Sequence, residues 1–391
     1  MTSDDLSALS LFPATPDQIT EARRRTHLEW GKGLTLEEHL TRDANQDQFE
    51  GSLDGRLIIW VLAPRNDPQT LNFKCACETY VRQRLFKRIG LVANAHNKNG
   101  VETVPCYGIA SVFTPPENRG KGFARHMMRL LHWVIADEAL LPLALFPAAW
   151  GAPPPVVPGT RDGRFSALWS DVGEFYAACG PSPYQKGWVV RGTATTLWEV
   201  DASTSLVSAA SSSGDWTWLD NAGLLKLWEE DAGEIRLAME KVPLSGGASF
   251  TYLPTRGVAS FQHRRLDLFL QRMPSPPQTW GVSSASKSTY ATWVIDPRKP
   301  ATSTLTVTRI HVADPVDQSF KDLLCKIFEI AKKHDVKRVE IWNLAAELQR
   351  LTEELGAKTF SREEHLPAFK WYGPESEEAV TWAFNERFCW C

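Results

Sequence analysis

The chain has 391 residues, of which 43% are hydrophobic and 23% charged, and its formal net charge at pH 7 is −3. This balance is typical of a globular protein, and the slight acidic excess gives no support for nucleic-acid binding. No apolar run approaches the ~18 residues of a membrane-spanning helix, and acidic residues stand where a secretion signal is basic. We therefore expect a cytoplasmic protein with neither nucleic acid nor membrane as a partner, and its length favours two domains.

The seven cysteines are scattered along the chain. Two C-x-C pairs, Cys75 with Cys77 and Cys389 with Cys391, lack the C-x-x-C spacing of zinc ribbons and redox dithiols. We expect buried thiols in a reducing compartment, and we expect no metal.

The first 200 residues predict an α/β domain with mixed strand pairing. Two helix starts are marked by Thr15-Pro16 and by Thr35 with Glu38 three residues later, which is a capping box. Apolar or alternating runs indicate strands, and apolar residues at three- and four-residue steps indicate helices. The predicted strands are residues 9–12, 57–62, 73–88, 107–113, 165–169, 188–191 and 196–200. The predicted helices are residues 16–30, 35–42, 123–138 and 171–179, while 90–103 and the proline-rich 140–163 are predicted to be irregular.

The second half predicts another α/β unit after a Ser/Ala/Thr-rich linker at 201–216. Its predicted strands are residues 289–295, 303–312, 339–342 and 369–372, and its predicted helices are 218–241, 318–334 and 346–355. A helix-start pattern near residue 11 returns near residue 252, and each copy precedes a strand, a loop and a long helix. We infer two similar modules, although chance similarity of helix starts explains the echo equally well. The predicted domains are 1–200 and 250–391, joined by a connecting segment and helix at 201–249.

A glycine-rich loop joins the strand at 107–113 to the long amphipathic helix. Arg119-Gly-Lys-Gly-Phe-Ala124 fits the pattern [Gln/Arg]-x-x-Gly-x-[Gly/Ala], and the second module lacks these glycines. Small residues let an anion approach the free amides at a helix start, where the helix dipole is positive. The loop is neither a Walker loop nor a G-x-G-x-x-G fingerprint. It predicts a site for a ligand that carries phosphate.

Residues 107–138 resemble motif A of the GNAT superfamily of acetyl-CoA-dependent N-acetyltransferases. Further stretches resemble the fungal lysine N6-acetyltransferases: Trp30-Gly-Lys-Gly-Leu-Thr-Leu-Glu-Glu, Cys77-Glu-Thr-Tyr80, Val112-Phe-Thr-Pro-Pro-Glu-Asn-Arg-Gly-Lys-Gly, Leu168-Trp-Ser-Asp-Val-Gly-Glu-Phe-Tyr176 and His365-Leu-Pro-Ala-Phe-Lys-Trp-Tyr-Gly373. The likeness departs at 145–160 and at 179–185. It implies an α+β protein, with an N-terminal GNAT fold built on a mixed sheet and a degenerate GNAT-like C-terminal domain.

The resemblance also implies how acetyl-CoA would be bound. It assigns the pyrophosphate to the loop residues Arg119, Gly120, Lys121, Gly122, Phe123 and Ala124. The splayed strand end at Val112, Phe113 and Thr114 would pair with pantetheine, and an amide of Val112 or Phe113 would stabilise the oxyanion. Tyr176 matches the tyrosine that protonates the departing thiolate.

The other site residues rest on weaker signals. Glu78 is the candidate base for the amine, directly or through water, and a structural or solvated glutamate is an equal alternative. Trp30 and Gly31 would form a substrate wall. His365 and Tyr372, with Trp371, are candidates for the rim of a cleft between the modules, with core packing as the alternative. Ser170 and Asp171 are expected to cap the helix that bears Tyr176. Free lysine also needs a cation for its carboxylate, and the candidates are Arg25, Arg42, Arg264 and Arg265.

The leading hypothesis is an N-acetyltransferase that acetylates the ε-amine of free lysine, acting as a monomer or homodimer on a small-molecule amine. Another amine, such as a polyamine, an ornithine derivative or a secondary metabolite, is the alternative within the same class. A CoA-binding protein without turnover is the alternative from a different class. Nucleotide or NAD binding lacks a fingerprint.

Overall fold

The structure is a computed structural model that describes residues 5–53, 55–80, 89–94, 100–202, 215–242, 247–313 and 316–391. The α-helices of these residues are α1 Pro16–Trp30, α2 Leu36–Gln46, α3 Phe123–Ile135, α4 Asn221–Glu240, α5 Ser260–Leu270, α6 Val316–Lys333 and α7 Ala346–Glu354. The first strands are β1 Leu9–Pro13, β2 Leu57–Pro64, β3 Cys75–Tyr80, β4 Ile89–Asn94, β5 Glu102–Phe113, β6 Phe165–Ser170, β7 Val189–Val190, β8 Ala194–Glu199 and β9 Trp216–Leu219. The remaining strands are β10 Ala248–Tyr252, β11 Gly281–Ser284, β12 Tyr290–Asp296, β13 Thr304–His311, β14 Arg338–Trp342, β15 Lys358–Ser361, β16 Leu366–Trp371 and β17 Val380–Trp382. No helix of the described ranges is long and apolar enough to cross a membrane.

The first sheet is mixed and has ten strands in the described residues. Its main path runs β1-β2-β3-β5-β4-β10-β17, while β6 pairs with the other side of β5 and carries β16 and then β7. The β5–β6 and β10–β17 pairs are parallel and the others antiparallel. Helix α3 packs on this sheet because its apolar residues recur at helical spacing; Met127, Leu130, Leu131 and Ile135 are fully buried.

The second sheet has, among the residues described, seven strands in the order β15-β8-β14-β13-β12-β11-β9. Its β13 and β14 are parallel, as expected for two strands joined by a crossover helix. That helix is α6, which buries Phe320, Leu324, Ile327 and Phe328 against the sheet. The second half therefore contains a strand–helix–strand unit, which agrees with the prediction of two similar modules.

The two sheets exchange strands. Strand β8 lies before residue 200 in the chain, yet it pairs with β14 and β15 of the second sheet. Conversely, β10, β16 and β17 come after residue 247 and pair within the first sheet. The division of the chain into domains at residues 200 and 250 stays a prediction. Strand pairing crosses both of these boundaries.

Most predicted elements are present, and both capping boxes are confirmed at Thr15 and Thr35. Three predictions need correction. Residues 90–103 are not a loop, because β4 pairs with the first part of β5. The strand predicted at 73–88 is present as Cys75–Tyr80, and the rest of its predicted range, from residue 81, lies outside the described residues. The segment 171–179 contains only a four-residue 3₁₀ helix, Phe175–Ala178, and 218–241 is strand β9 followed by α4. Most of the predicted linker at 201–216 also lies outside the described residues.

Candidate active site

Strands β5 and β6 part in the middle of the first sheet. They pair only from Cys106 to Gly108 and from Phe165 to Ala167, after which β5 continues to Phe113 without β6 beside it. One edge of β5 is therefore open at Val112 and Phe113, where an extended ligand can add to the sheet as a strand does.

A β-bulge bends β5 at the same place. Between Ala110 and Phe113, β5 has one residue more than the facing stretch of β3, and Ser111 adopts a left-handed φ of 52°. Bulges of this kind redirect side chains beside functional sites. Here the bulge turns the Ser111 hydroxyl toward β3.

The glycine loop leaves its backbone amides free. Gly120 and Gly122 have φ of 76° and 84°, and the nearest atom to a Cβ built on Gly122 is Leu6 Cδ1 at 3.7 Å. Gly122 precedes α3 and has no side chain to cap the helix. The first hydrogen bond of the helix is donated by the His126 N–H to the Gly122 carbonyl. Within the described residues, the N–H groups of 120–125 donate to no other residue. They form an open donor cradle for an anion.

The side chains of the loop have separate surroundings. Arg119 donates to the Thr114 carbonyl at 3.0 Å and pairs with Glu29 at 2.9 Å, which fixes the loop against α1. Lys121 is exposed and adds positive charge at the cradle. Phe123, the first residue of α3, is buried, and Ala124 is small and partly buried. Of the six residues named from the sequence, Gly120, Lys121 and Gly122 are exposed, and Phe123 belongs to the core.

Tyr176 lies in the 3₁₀ helix Phe175–Ala178, and its ring packs edge-on against Trp188. Its side chain is buried, and burial together with the nearby thiols of Cys179 and Cys77 raises the pKa of its phenol. The phenol is therefore protonated at neutral pH. Among the described residues its hydroxyl has no hydrogen-bond partner, so its proton is available to a ligand.

A buried network fixes the segment that carries Tyr176. His132 Nε2 faces the Cys179 carbonyl at 2.8 Å and must donate to it, so Nδ1 accepts from the Tyr372 hydroxyl at 2.8 Å. Burial holds the pKa of His132 well below its usual value, which keeps the ring neutral. Tyr372 therefore lies in the core beside α3, and core packing describes it better than the rim position.

Glu78 lies on β3 opposite the bulge. Its Oε2 accepts from the Ser111 hydroxyl at 2.8 Å and from the Tyr80 hydroxyl at 3.4 Å. Burial and the neighbouring Asp43 carboxylate raise the pKa of Glu78, while Ser111, Arg23 and Arg265 act in the opposite direction. A carboxylate with a raised pKa at the bulge of β5 is suited to accept a proton.

The two wall residues end α1. The Trp30 ring lies edge-on to Phe113, with the ring centroids 6.0 Å apart, so it flanks the open edge of β5. Gly31 turns the chain so tightly that an added Cβ would meet the His27 ring at 2.1 Å. Trp30 is thus placed to contact a ligand, while Gly31 has a structural reason to be glycine.

Asp171 and Ser170 do not cap a helix, which corrects that prediction. Asp171 accepts from the His365 N–H at 2.7 Å and pairs with His365 Nδ1 at 3.0 Å. The Ser170 hydroxyl accepts from the Val172 N–H and closes a turn. His365 is partly buried and stacks on Trp342, so it joins the two sheets.

Sequence reasoning missed Ser111, Tyr80 and Asp43 as neighbours of Glu78. Residues 78 and 80 lie two apart on one strand, so alternation alone places their side chains on one face. The bulge that brings Ser111 to them has no sequence signal. No group of three or more His, Cys, Asp or Glu suited to a metal ion occurs in the described ranges.

Comparison with known proteins agrees with this geometry. Residues 201–391 match the family described as the LYC1 GNAT-like C-terminal domain. A protein of Yarrowia lipolytica named lysine acetyltransferase is 30% identical over 192 residues, which are 49% of this chain and 43% of that protein. An uncharacterized protein of Saccharomyces cerevisiae, YGR111W, is 25% identical and aligns with 85% of this chain and 80% of its own.

Solved structures show the same fold. A GCN5-related N-acetyltransferase from Kribbella flavida has a TM-score of 0.50 at 13% identity, covering 93% of this chain and 72% of its own. A probable N-acyltransferase from Enterococcus faecalis has a TM-score of 0.52 at 14% identity, covering 93% of this chain and 73% of its own. The divided strands, the amide cradle and these similarities lead to one conclusion: residues 201–391 match the LYC1 GNAT-like C-terminal domain, and the chain has the fold of these N-acetyltransferase structures.

Proposed function

We propose that the protein transfers the acetyl group of acetyl-CoA to the ε-amine of free lysine, by direct attack of the amine on the thioester. The observation that carries the proposal is the open edge of β5 followed by the amides of 120–125, which donate to no described residue, together with a Tyr176 hydroxyl that has no hydrogen-bond partner among the described residues. The name of the Yarrowia lipolytica relative supports lysine as the amine.

Acetyl-CoA would lie along the open edge of β5. The amides of 120–125 would hold its pyrophosphate, with Arg119 and Lys121 contributing positive charge. Pantetheine would follow Val112–Thr114, and an amide of Val112 or Phe113 would donate to the thioester carbonyl as it becomes an oxyanion. These contacts bind and polarise the acetyl donor.

The amine must lose a proton before it attacks, because the pKa of a free lysine side chain is near 10.4. Glu78 would take this proton, directly or through water, since its own pKa is raised. The amine nitrogen then forms a bond to the acetyl carbon, the carbon–sulfur bond breaks, and the nitrogen releases its second proton to solvent. Tyr176 would give its proton to the departing thiolate and regain one from solvent.

The test measures thiol release from acetyl-CoA with a panel of amines: lysine, ornithine, spermidine and a histone peptide. We expect kcat/KM to be highest for lysine, and mass spectrometry of the product to place the acetyl group on the ε-nitrogen. Release with spermidine or ornithine in preference to lysine would assign another amine. Tight binding of acetyl-CoA without amine-dependent release would identify a protein that binds CoA without turnover.

A further inference from the structure

Arg265 lies beside the acidic side of the candidate amine site. It belongs to α5, which packs on α2, and its guanidinium carbon is 5.7 Å from the centre of the Trp390 ring. The positive charge of Arg265 lowers the pKa of Glu78, and Asp43 and Tyr80 raise the pKa of Arg265. A helix from the second half of the chain thus brings a cation to the site formed by β3 and β5.

The other arginines of this region are already engaged. Arg23 makes two hydrogen bonds to Asp47, at 3.1 and 2.6 Å. Arg25 bonds Glu21 and two backbone carbonyls, and Arg42 bonds Asp43, the Trp30 carbonyl and His39. Arg264 is largely exposed and pairs loosely with Asp267 at 3.8 Å. Sequence reasoning named four arginines without ranking them, and three have other roles.

Arg265 differs because its guanidinium forms neither a hydrogen bond nor an ion pair with any residue that the structure describes. It is also partly buried, and burial lowers its pKa from the usual value. Removing a charged group from water costs free energy unless a partner of opposite charge compensates it. A planar guanidinium is matched to a carboxylate, which it can bind through two parallel hydrogen bonds.

We infer that Arg265 binds the α-carboxylate of the amine substrate, and that the substrate is therefore an amino acid and not a simple diamine or polyamine. The assignment rests on the proposed function. The substrate would span the site with its carboxylate at Arg265 and its side-chain amine beside Glu78. Arg265 is a specificity residue in this arrangement, because it does not touch the reacting atoms.

The experiment compares lysine, lysinamide and cadaverine in the wild type and in Arg265→Gln. Lysinamide keeps both amines and lacks the negative charge, while cadaverine lacks the α-carbon substituent altogether. We expect the wild type to prefer lysine to lysinamide by about 10- to 100-fold in kcat/KM, the range for a charge-assisted hydrogen-bond pair. In Arg265→Gln the preference should vanish, chiefly through a higher KM for lysine. Any change in kcat that follows from losing the charge near Glu78 should be the same for lysine and lysinamide.

Two further variants sharpen the result. Arg264→Gln removes the neighbouring guanidinium on the exposed side of the same helix and should leave the preference intact. Arg265→Lys keeps the charge without the planar fork and should give an intermediate preference.

Three outcomes would overturn the inference in distinguishable ways. A wild type that acetylates lysinamide and cadaverine as well as lysine leaves the acetyltransferase in place and removes Arg265 from carboxylate binding. Equal losses for lysine and lysinamide in Arg265→Gln, with a lower melting temperature, would show a structural role. Absence of turnover with all three amines would refute the proposed function, and the inference with it.

Discussion

Glu78 combines a partly buried carboxyl with two hydroxyl donors. The environment raises its pKa above the ordinary value of 4.5, chiefly through burial and then through Asp43. Above pH 4.5 the unfolded chain therefore loses this proton before the folded chain does, so the free energy of unfolding falls with rising pH until the folded state is also ionised. The same environment that suits Glu78 to accept a proton thus lowers stability near neutral pH.

Replacing Glu78 by Gln should separate these two effects. We expect turnover to fall about 100-fold or more, while the Glu78-dependent loss of stability between about pH 4 and about pH 7 disappears. Urea unfolding at the two pH values and steady-state kinetics measure the two effects. The exposed Glu174→Gln is the control and should change neither. An unchanged pH dependence of unfolding in Glu78→Gln would contradict the raised pKa.

Tyr176→Phe should remove the proton donor and keep the ring that packs on Trp188. We expect kcat to fall about 100-fold because the thiolate leaves without protonation. Acetyl-CoA affinity, measured by calorimetry, should stay the same, since the hydroxyl has no partner among the described residues. Tyr184, which is 96% exposed, supplies the control variant Tyr184→Phe. Full turnover in Tyr176→Phe would remove this residue as the acid.

At the scale of elements, the amide cradle depends on a backbone shape that only glycine adopts readily. Gly122 combines a φ of 84° with open space where a side chain would begin. A larger residue there is strained by about 1–2 kcal/mol, and a carboxylate would also stand where the anion is expected. The loop therefore provides a test in which strain and ligand exclusion can be separated.

We expect Gly122→Asp to abolish acetyl-CoA binding, measured by calorimetry. Gly356→Asp is a matched control, because Gly356 also has a left-handed φ, 80°, and open space around it but ends α7 in the second half. Both variants should lose similar stability, and only Gly122→Asp should lose binding. Tight binding by Gly122→Asp would show that the pyrophosphate lies elsewhere.

Sequence patterns predicted an element correctly where the residues that determine it lie close together in the chain. The capping boxes, the glycine loop and the apolar face of α3 all depend on residues close in sequence, and each was predicted correctly. The prediction missed β4 because this strand forms by pairing with β5 and β10, and no pattern within residues 90–103 indicates these partners. The bulge at Ser111 and the free guanidinium of Arg265 depend on distant segments, so no local pattern could have predicted them.

At the scale of the whole molecule, the second sheet repeats the opening of the first, and a carboxylate of the chain bonds to its free strand edge. Strands β13 and β14 pair only up to Val307 and Ile341, as β5 and β6 part after Gly108. The Ile310 N–H then donates to Glu386 at 2.9 Å, and Glu386 also pairs with Arg309 at 2.6 Å. A carboxylate of the chain thus takes the Ile310 N–H at the free strand edge.

Strand exchange predicts how truncation acts. Removing residues 250–391 takes away β16, which pairs along the whole of β6, and most of β10. It also strips β8 of both its partners. We expect the truncated chain to aggregate, because unpaired apolar strands are templates for association. A soluble fragment that still binds acetyl-CoA would contradict this expectation; size-exclusion chromatography and calorimetry would reveal it.

The same exchange has a consequence for synthesis. A ribosome makes β6 long before β16, and β4 long before β10, so the first sheet stays incomplete until translation is nearly finished. Folding of the first half during translation, which many multidomain chains achieve, therefore cannot reach the active state here. For most of its time on the ribosome, the nascent chain has unpaired strand edges that must not associate with one another. Demand for chaperones should then be set by the timing of the last strands.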